Sequence, residues 1–339
     1  MKIHKILFIV ILYFFATGAL AQEIKIKFAT LAPEGSTWMK VMKEFDRAVR
    51  KQSNGRLGFK IYAGGILGDE KDVLRKIRLG QLHAAGFTGV GMGEILPEVR
   101  ILDCPFLFRS YDEIDYINTK FYQRFARGFE KKGYVLLSWA EVGFVYVFSK
   151  SPIRSIEDMR KIKMWIWEGD PVAEATFKAF DLHPFPLSVI DVMPALQANM
   201  IDGVYTSPLA AIALQWFTKV KYMMELPLAN SAGAVLISKR KYDQLSPDLQ
   251  KILSENARHY MAKLITLSRK DNAKAIETLK KSGINIVPIS NKETMLQYEE
   301  IGKKARHLLA GKLFSQQLLT EVETALAEYR AKHSNKTTN

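Results

Sequence analysis

Residues 24–30, IKIKFAT, alternate apolar and polar side chains, the period of a strand with one buried face. A short loop, LAPEGS, leads to an amphipathic run from about Thr37 to Gln52 that predicts a helix ended by Ser53-Asn54-Gly55. RLGFKIYA (56–63) is the next predicted strand, and Gly68-Asp69-Glu70 opens a helix that reaches Leu79 and is closed by Gly80. LHAAGFT, YVLLSWAE, GFVYVFSK, KMWIW, HPFPL and MIDGVYT read as further strands or short extended runs, and AGAVLISKR (232–240) as a late one. From Ser246 the pattern is mostly helical through about residue 281, and again from about Lys292 to Lys332. Strands alternating with helices predict an α/β architecture.

Two predicted strand ends carry aromatic side chains. In KMWIWEGDPV (163–172), Met164 and Ile166 share one face while Lys163, Trp165 and Trp167 share the other. Asp170 then reads as an N-cap and Pro171 as the first helical residue. IDGVYTSPL ends the same way: Tyr205 and Thr206 close the strand, Ser207 caps and Pro208 starts the helix. Ligands of open α/β sheets sit outside the carboxyl ends of the strands. If the two strands are neighbours, these four side chains converge on one crevice; the alternative is that the aromatics are core.

Composition narrows the class. Lys2 and Lys5, the apolar run Ile6–Phe15 and Ala19-Leu20-Ala21 form a secretory leader cut after Ala21, since the run is shorter than the roughly 20 residues a membrane span needs. No cysteine stands directly after its apolar run as a lipid-attachment site, and no later segment is apolar enough to span a membrane, so an exported soluble chain is expected, with the bacterial periplasm as its compartment. Losing two lysines lowers the formal charge of +14 to +12, and the remaining basic residues are interspersed with acids rather than clustered as nucleic-acid binding requires. The single cysteine, Cys104, sits among Leu102, Pro105 and Phe106 and reads as a buried structural thiol. A G-x-S-x-G elbow, an H-E-x-x-H motif and metal-ligand spacing are all missing, and the six histidines are scattered. GVGMGE (89–94) fits neither a dinucleotide fingerprint nor a phosphate loop and reads as a flexible loop. The expectation is a binding protein with no catalytic residues, metal or cofactor.

In order and spacing, six stretches resemble the substrate-binding proteins of TRAP transporters, the DctP-type family. They are IKFATLAPEGSTW, GGILGDEKDVLRKIRLGQL, LPEVRILDCPFLF, SPIRSIEDMRKIKMWIW, LHPFPLSVIDVMPALQANMIDGVYTSPL and VLISKRKYDQLSPDLQKIL. The resemblance implies a two-lobed periplasmic binding protein with crossing strands and a long lobe-spanning helix, closing on its ligand and passing it to integral-membrane subunits. Lobe I is expected from 22–142 plus 231–270, lobe II from 143–230 plus 271–332, and a disordered tail at 333–339. The apolar residues of 292–332 are expected to pack along both lobes, with oligomerisation as a second use.

The departures from that family point to the ligand. Members that bind organic acids carry an arginine in a stretch like KIRVP; here Trp165 falls on the arginine and Trp167 on the proline. A second basic position, in a stretch like GFRHF, falls on Val145, and the asparagine of a DGQEN-like segment falls on Thr206, beside Tyr205. Removing the cation that meets a buried carboxylate costs about 2–5 kcal/mol. The expected pocket is therefore apolar, lined by Trp165, Trp167, Val145, Tyr205 and Thr206. Phe144, Phe185 and Trp216 are further candidates that fit the core equally well. A hydrophobic or amphipathic ligand follows, with any headgroup at the helix starts Pro171 and Pro208. TRAP systems lacking the arginine are associated with a periplasmic tetratricopeptide-repeat protein, which the resemblance makes a candidate partner. A lipid shuttle and a sensor-linked binding protein stay open as alternatives, as does an organic-acid binder using the helix N-termini.

Overall fold

The computed structural model describes residues 23–289 and 292–333. The leader and its cut after Ala21, and the tail at 334–339, lie outside these. His333, which the sequence reading put in that tail, is instead the last residue of a helix.

The chain begins with two strand–helix–strand units: β1 (Ile24–Ala29), α1 (Thr37–Gln52), β2 (Leu57–Tyr62), α2 (Glu70–Arg78) and β3 (Ala84–Thr88), with β1 parallel to both β2 and β3. Ser36 caps α1 by accepting from the Met39 N–H, and the buried Met42, Phe45 and Val49 of the helix meet Ile26 and Phe28 of β1. α3 (Gly89–Ile95) follows, then a 3-10 segment Pro97–Asp103 and α4 (Tyr111–Lys131). α3 replaces the loop expected at GVGMGE: the Thr88 hydroxyl accepts from the Val90 N–H and starts a helix in which the glycines are close-packed.

β4 (Tyr134–Ser149) was read from sequence as two strands and is one. Its pairing with β9 (Ala229–Ser238) shifts register between Glu141 and Gly143, and Gly143 (φ +109°) supplies the bulge that a side chain would resist. The strand therefore bends across from the first lobe to the second without breaking. Between these two come α5 (Ile156–Arg160), β5 (Trp165–Trp167), α6 (Pro171–Ala179), β6 (Phe185–Leu187), α7 (Val192–Gln197), β7 (Gly203–Thr206), α8 (Pro208–Ala213) and β8 (Tyr222–Met224). After β9 follow α9 (Lys239–Asp243), α10 (Pro247–Lys281), β10 (Asn285–Val287), α11 (Lys292–Leu309) and α12 (Gln316–His333). Eight strands form one continuous sheet in the order β10-β8-β4-β9-β3-β1-β2, with β7 also on β4, while β5 pairs parallel with β6. The fold is mixed α/β and two-lobed, with β4 and β9 crossing between the lobes.

α10 holds the lobes in one frame. At 1.5 Å per residue its 35 residues extend about 52 Å. Leu249, Leu253, Met261 and Leu264 lie in the first-lobe core with α1, and Leu279 lies in the second-lobe core. α11 packs on α6, with Tyr298 in the second-lobe core, whereas α12 packs on α4. The lobe division read from sequence is corrected here: it gave all of 271–332 to lobe II, yet Leu318, Leu319, Val322 and Leu326 complete the first-lobe core around Phe121 and Phe125.

At the crossing, Arg269 of α10 donates to Glu141 at 3.0 and 2.7 Å and to Asp115 at 2.7 and 2.6 Å, with its guanidinium 4.4 Å from the Tyr111 ring centre. Glu141 is buried, and that burial raises its carboxyl pKa against the pull of Arg269. Arg269→Met leaves this carboxylate unpaired and is expected to cost about 3 kcal/mol, measured by denaturant unfolding. The double variant Arg269→Met/Glu141→Gln should recover a substantial part of that loss.

Candidate functional site

A cavity of about 450 Å³ lies between the lobes, lined by residues of β3, β4, β5, β7 and β9, of the loop after β1, and of the helices α1, α3, α6 and α8. On β5 the strand alternation sorts the side chains. Met164 and Ile166 face the core containing Phe177 and Phe180, while Trp165 and Trp167 face the other way and line the cavity. The Trp165 ring stacks on Tyr205 with centroids 4.9 Å apart and meets Trp216 edge-on at 5.4 Å. Its indole N–H donates to the Leu187 carbonyl at 3.0 Å, so the ring is held by both hydrogen bond and stacking. The Trp167 indole donates to Asp69 Oδ2 at 2.9 Å, and its backbone N–H donates to the Tyr205 hydroxyl at 3.2 Å. Burial raises the Tyr205 phenol pKa well above its usual value, which keeps it neutral.

Val145, Thr206 and Trp216 also reach the cavity wall. Two candidates do not. Phe144 packs against Tyr111 at 4.8 Å in the first-lobe core, and Phe185 is 43 % exposed on β6. Lys163 is exposed and absent from the wall. The wall also contains residues that pattern reading missed: Trp38 at the start of α1, Val172 on α6, and a buried charge cluster of Arg100, Asp103, Asp170 and Glu70. Arg100 and Asp103 stand three apart inside the apolar run VRILDCP, a spacing that puts both on one side of a helical turn. That spacing was the available signal.

The cluster governs the electrostatics. Arg100 is 4 % exposed, donates from Nε to Asp103 at 2.9 Å, and places Nη2 2.8 Å from Asp170. Asp103 also accepts from the Ala232 N–H at 2.8 Å, yet burial pushes its carboxyl up to about 6. Glu70 accepts from the Thr88 N–H, the Thr88 hydroxyl and the Gly91 N–H at 2.7, 2.9 and 2.6 Å, and burial pushes it up to about 7. The glycines of α3 make room for this set. A Cβ on Gly89 would overlap the Asp103 carboxylate, and one on Gly93 would stand 2.7 Å from the Arg100 side-chain carbons. Among the described residues, one guanidinium and three carboxylates are therefore the charged groups on the wall, and the guanidinium is already matched.

Both helix starts expected to offer N–H groups are occupied. Asp170 accepts from Val172 and Ala173 of α6. On α8, the Ser207 hydroxyl accepts from Ala210, and Asn272 Oδ1 accepts from Leu209 at 2.9 Å. Neither presents a free pair of donors to an anion. Among the described residues, no group of His, Cys, Asp or Glu side chains is placed to hold a metal ion, and no helix is long and apolar enough to cross a membrane. Cys104 is buried, and burial raises its thiol pKa, as suits a structural cysteine.

The model of bacterial extracellular solute-binding proteins, family 7 (DctP), matches residues 28–310. A solute-binding protein of Verminephrobacter eiseniae is 28% identical over 276 residues, which are 80% of this chain and 81% of its own. The 2,3-diketo-L-gulonate-binding periplasmic protein YiaO of Escherichia coli is 25% identical over 287 residues, 83% of this chain and 86% of its own. Among solved structures, the sugar acid binding protein DctPAm of Advenella mimigardefordensis, in complex with galactonate, shares the fold. Its TM-score is 0.85 at 20% identity, covering 90% of this chain and 98% of that one.

The raised carboxyl of Glu70 has a measurable consequence. Between about pH 4.5 and 7 the folded protein keeps a proton that the unfolded chain has released, so this contribution to stability is lost as pH rises across that window. Its size is on the order of 3 kcal/mol. Asp103 acts in the same direction between about pH 4 and 6. In urea unfolding at pH 5 and pH 8, wild type should lose stability relative to Glu70→Gln on going to the higher pH.

Proposed function

The chain belongs to family 7 of the bacterial extracellular solute-binding proteins, and on that footing we propose that its ligand is a small hydrophobic or amphipathic molecule with no carboxylate at the buried end. As a TRAP-type periplasmic solute-binding protein it binds its ligand without transforming it, and its partners are the TRAP membrane subunits. Lobe closure captures the molecule between two domains whose relative motion is a hinge at the crossing strands. Export through a leader cut after Ala21 and delivery with the help of a tetratricopeptide-repeat protein belong to the same proposal.

One observation carries it: the cavity's single guanidinium, Arg100, is bound to two carboxylates, and an indole, Trp165, stands where the resemblance puts the ligand-binding arginine. A buried carboxylate that loses its cation forfeits about 2–5 kcal/mol. An apolar group laid against Trp165 and Trp216 gains about 2–3 kcal/mol for each side chain's worth of surface it buries. The cavity's volume is in the range of small-molecule sites, about 300–1,000 Å³. Sugar acids, named for two of the similar proteins, would meet three carboxylates here and no unmatched cation.

Native mass spectrometry of the protein purified from its own periplasm, followed by organic extraction, tests the ligand class. A neutral or lipid-like adduct in wild type, lost in a folded Trp165→Arg variant, is the expected result. A sugar acid or small dicarboxylate in the wild-type cavity would overturn the proposal.

A further inference from the structure

Three first-lobe side chains, Asp69, Lys71 and Arg100, join the lobes around β5. Asp69 of the first lobe accepts from the Trp167 indole at 2.9 Å and from the Ser188 hydroxyl at 2.5 Å. Lys71 donates to the Glu168 carbonyl at 3.1 Å. Arg100 of the first lobe meets Asp170 of the second at 2.8 Å, and both side chains are nearly inaccessible, at 4 % and 6 %. Only the last is a buried pair of full charges, and only it lies on the cavity wall with both partners.

We propose that Asp170 is a built-in counter-anion. It occupies, toward Arg100, the role that a ligand's anionic group would otherwise fill, so that closing the cleft completes an ion pair within the chain and leaves the cavity selective against anions. The ligand side of this inference rests on the apolar reading of the same cavity; the clasp does not. A lone guanidinium facing a closed, largely apolar cavity would be desolvated without compensation and would attract any carboxylate small enough to enter. Asp103 alone supplies one partner from the first lobe. Asp170 comes from the opposite lobe, so its bond to Arg100 forms only when the lobes approach. Its place is specified locally as well. The carboxylate caps α6 through Val172 and Ala173, which aims it at the cleft whether or not Arg100 is near. On the other side, Gly93 leaves the space into which the Arg100 stem fits.

Asp170→Asn is the informative variant, because asparagine is as good an N-cap as aspartate and keeps the shape while removing the charge. The matched probes are decan-1-ol and decanoate, followed by quenching of intrinsic tryptophan fluorescence. Wild type should favour the alcohol. Asp170→Asn should shift the decanoate-to-decanol affinity ratio toward the acid by about 10- to 100-fold, the range expected when a buried charge changes partner. Cleft width is read without ligand, by spin labels at the exposed Leu79 and Met200 in the full chain. The label distance should lengthen in Asp170→Asn and in Arg100→Met. An unchanged distance overturns the clasp, and an unchanged ratio overturns the charge selection. If wild type binds neither probe but opens on Asp170→Asn, the apolar reading fails while the clasp stands. Galactonate offered to both proteins then reads the selection: binding to the variant alone supports it, and binding to wild type overturns it.

Discussion

A guanidinium removed from water must be matched, and much of this cavity's construction follows from matching Arg100. Two carboxylates do it, one from its own 3-10 segment and one from across the cleft. Seating the first requires a helix whose facing positions lack side chains, which explains GVGMGE: Gly89 yields to Asp103 and Gly93 to Arg100. Seating the second ties the start of α6 to the first lobe, and with it β5 and its two tryptophans. The position of the indoles, the charge of the wall and the approach of the lobes thus share one electrostatic cause.

The similar proteins and the cavity chemistry pull in different directions. YiaO and DctPAm are named for sugar acids, and the shared fold is plain. A fold positions a site without dictating what the site holds. On the proposed reading, the residues that set ligand class are few. Trp165 is stacked on Tyr205 and hydrogen-bonded to Leu187, so it is not free to swing aside for a charged group. The N–H groups at the starts of α6 and α8 are spoken for by Asp170, Ser207 and Asn272.

What could be read from sequence was what has local physical grammar. The alternation through 163–167 separates core from cavity side chains because a strand has no other choice, and the Asp-Pro and Ser-Pro starts of α6 and α8 are capping chemistry. The helix at 247–281 declares itself by length and spacing. The misses are nonlocal. GVGMGE looked like a loop because glycine weakens an isolated helix; packing against the Arg100 and Asp103 side chains of the next segment, which the pattern within 89–94 does not record, reverses that preference. YVLLSWAE and GFVYVFSK were read as two runs, and the strand in fact bulges at Gly143 and continues. Phe144 and Phe185 have the right chemistry, but neighbours that no local pattern records turn one into core and leave the other exposed. Arg100 hid in an apolar run whose hydrophobic pattern said only that it would be buried.

The packing of α12 has a consequence for how the chain is made. Leu318, Leu319, Val322 and Leu326 fill the same core as Phe121 and Phe125 of α4, so the first lobe begins with the earliest strands and is finished by the last helix described. Synthesis runs in one direction, and β9 and α10 also arrive after the whole of β5 to β8. Neither lobe can therefore settle as an independent unit while the chain is still emerging; its early apolar segments must wait, exposed, for partners encoded far downstream.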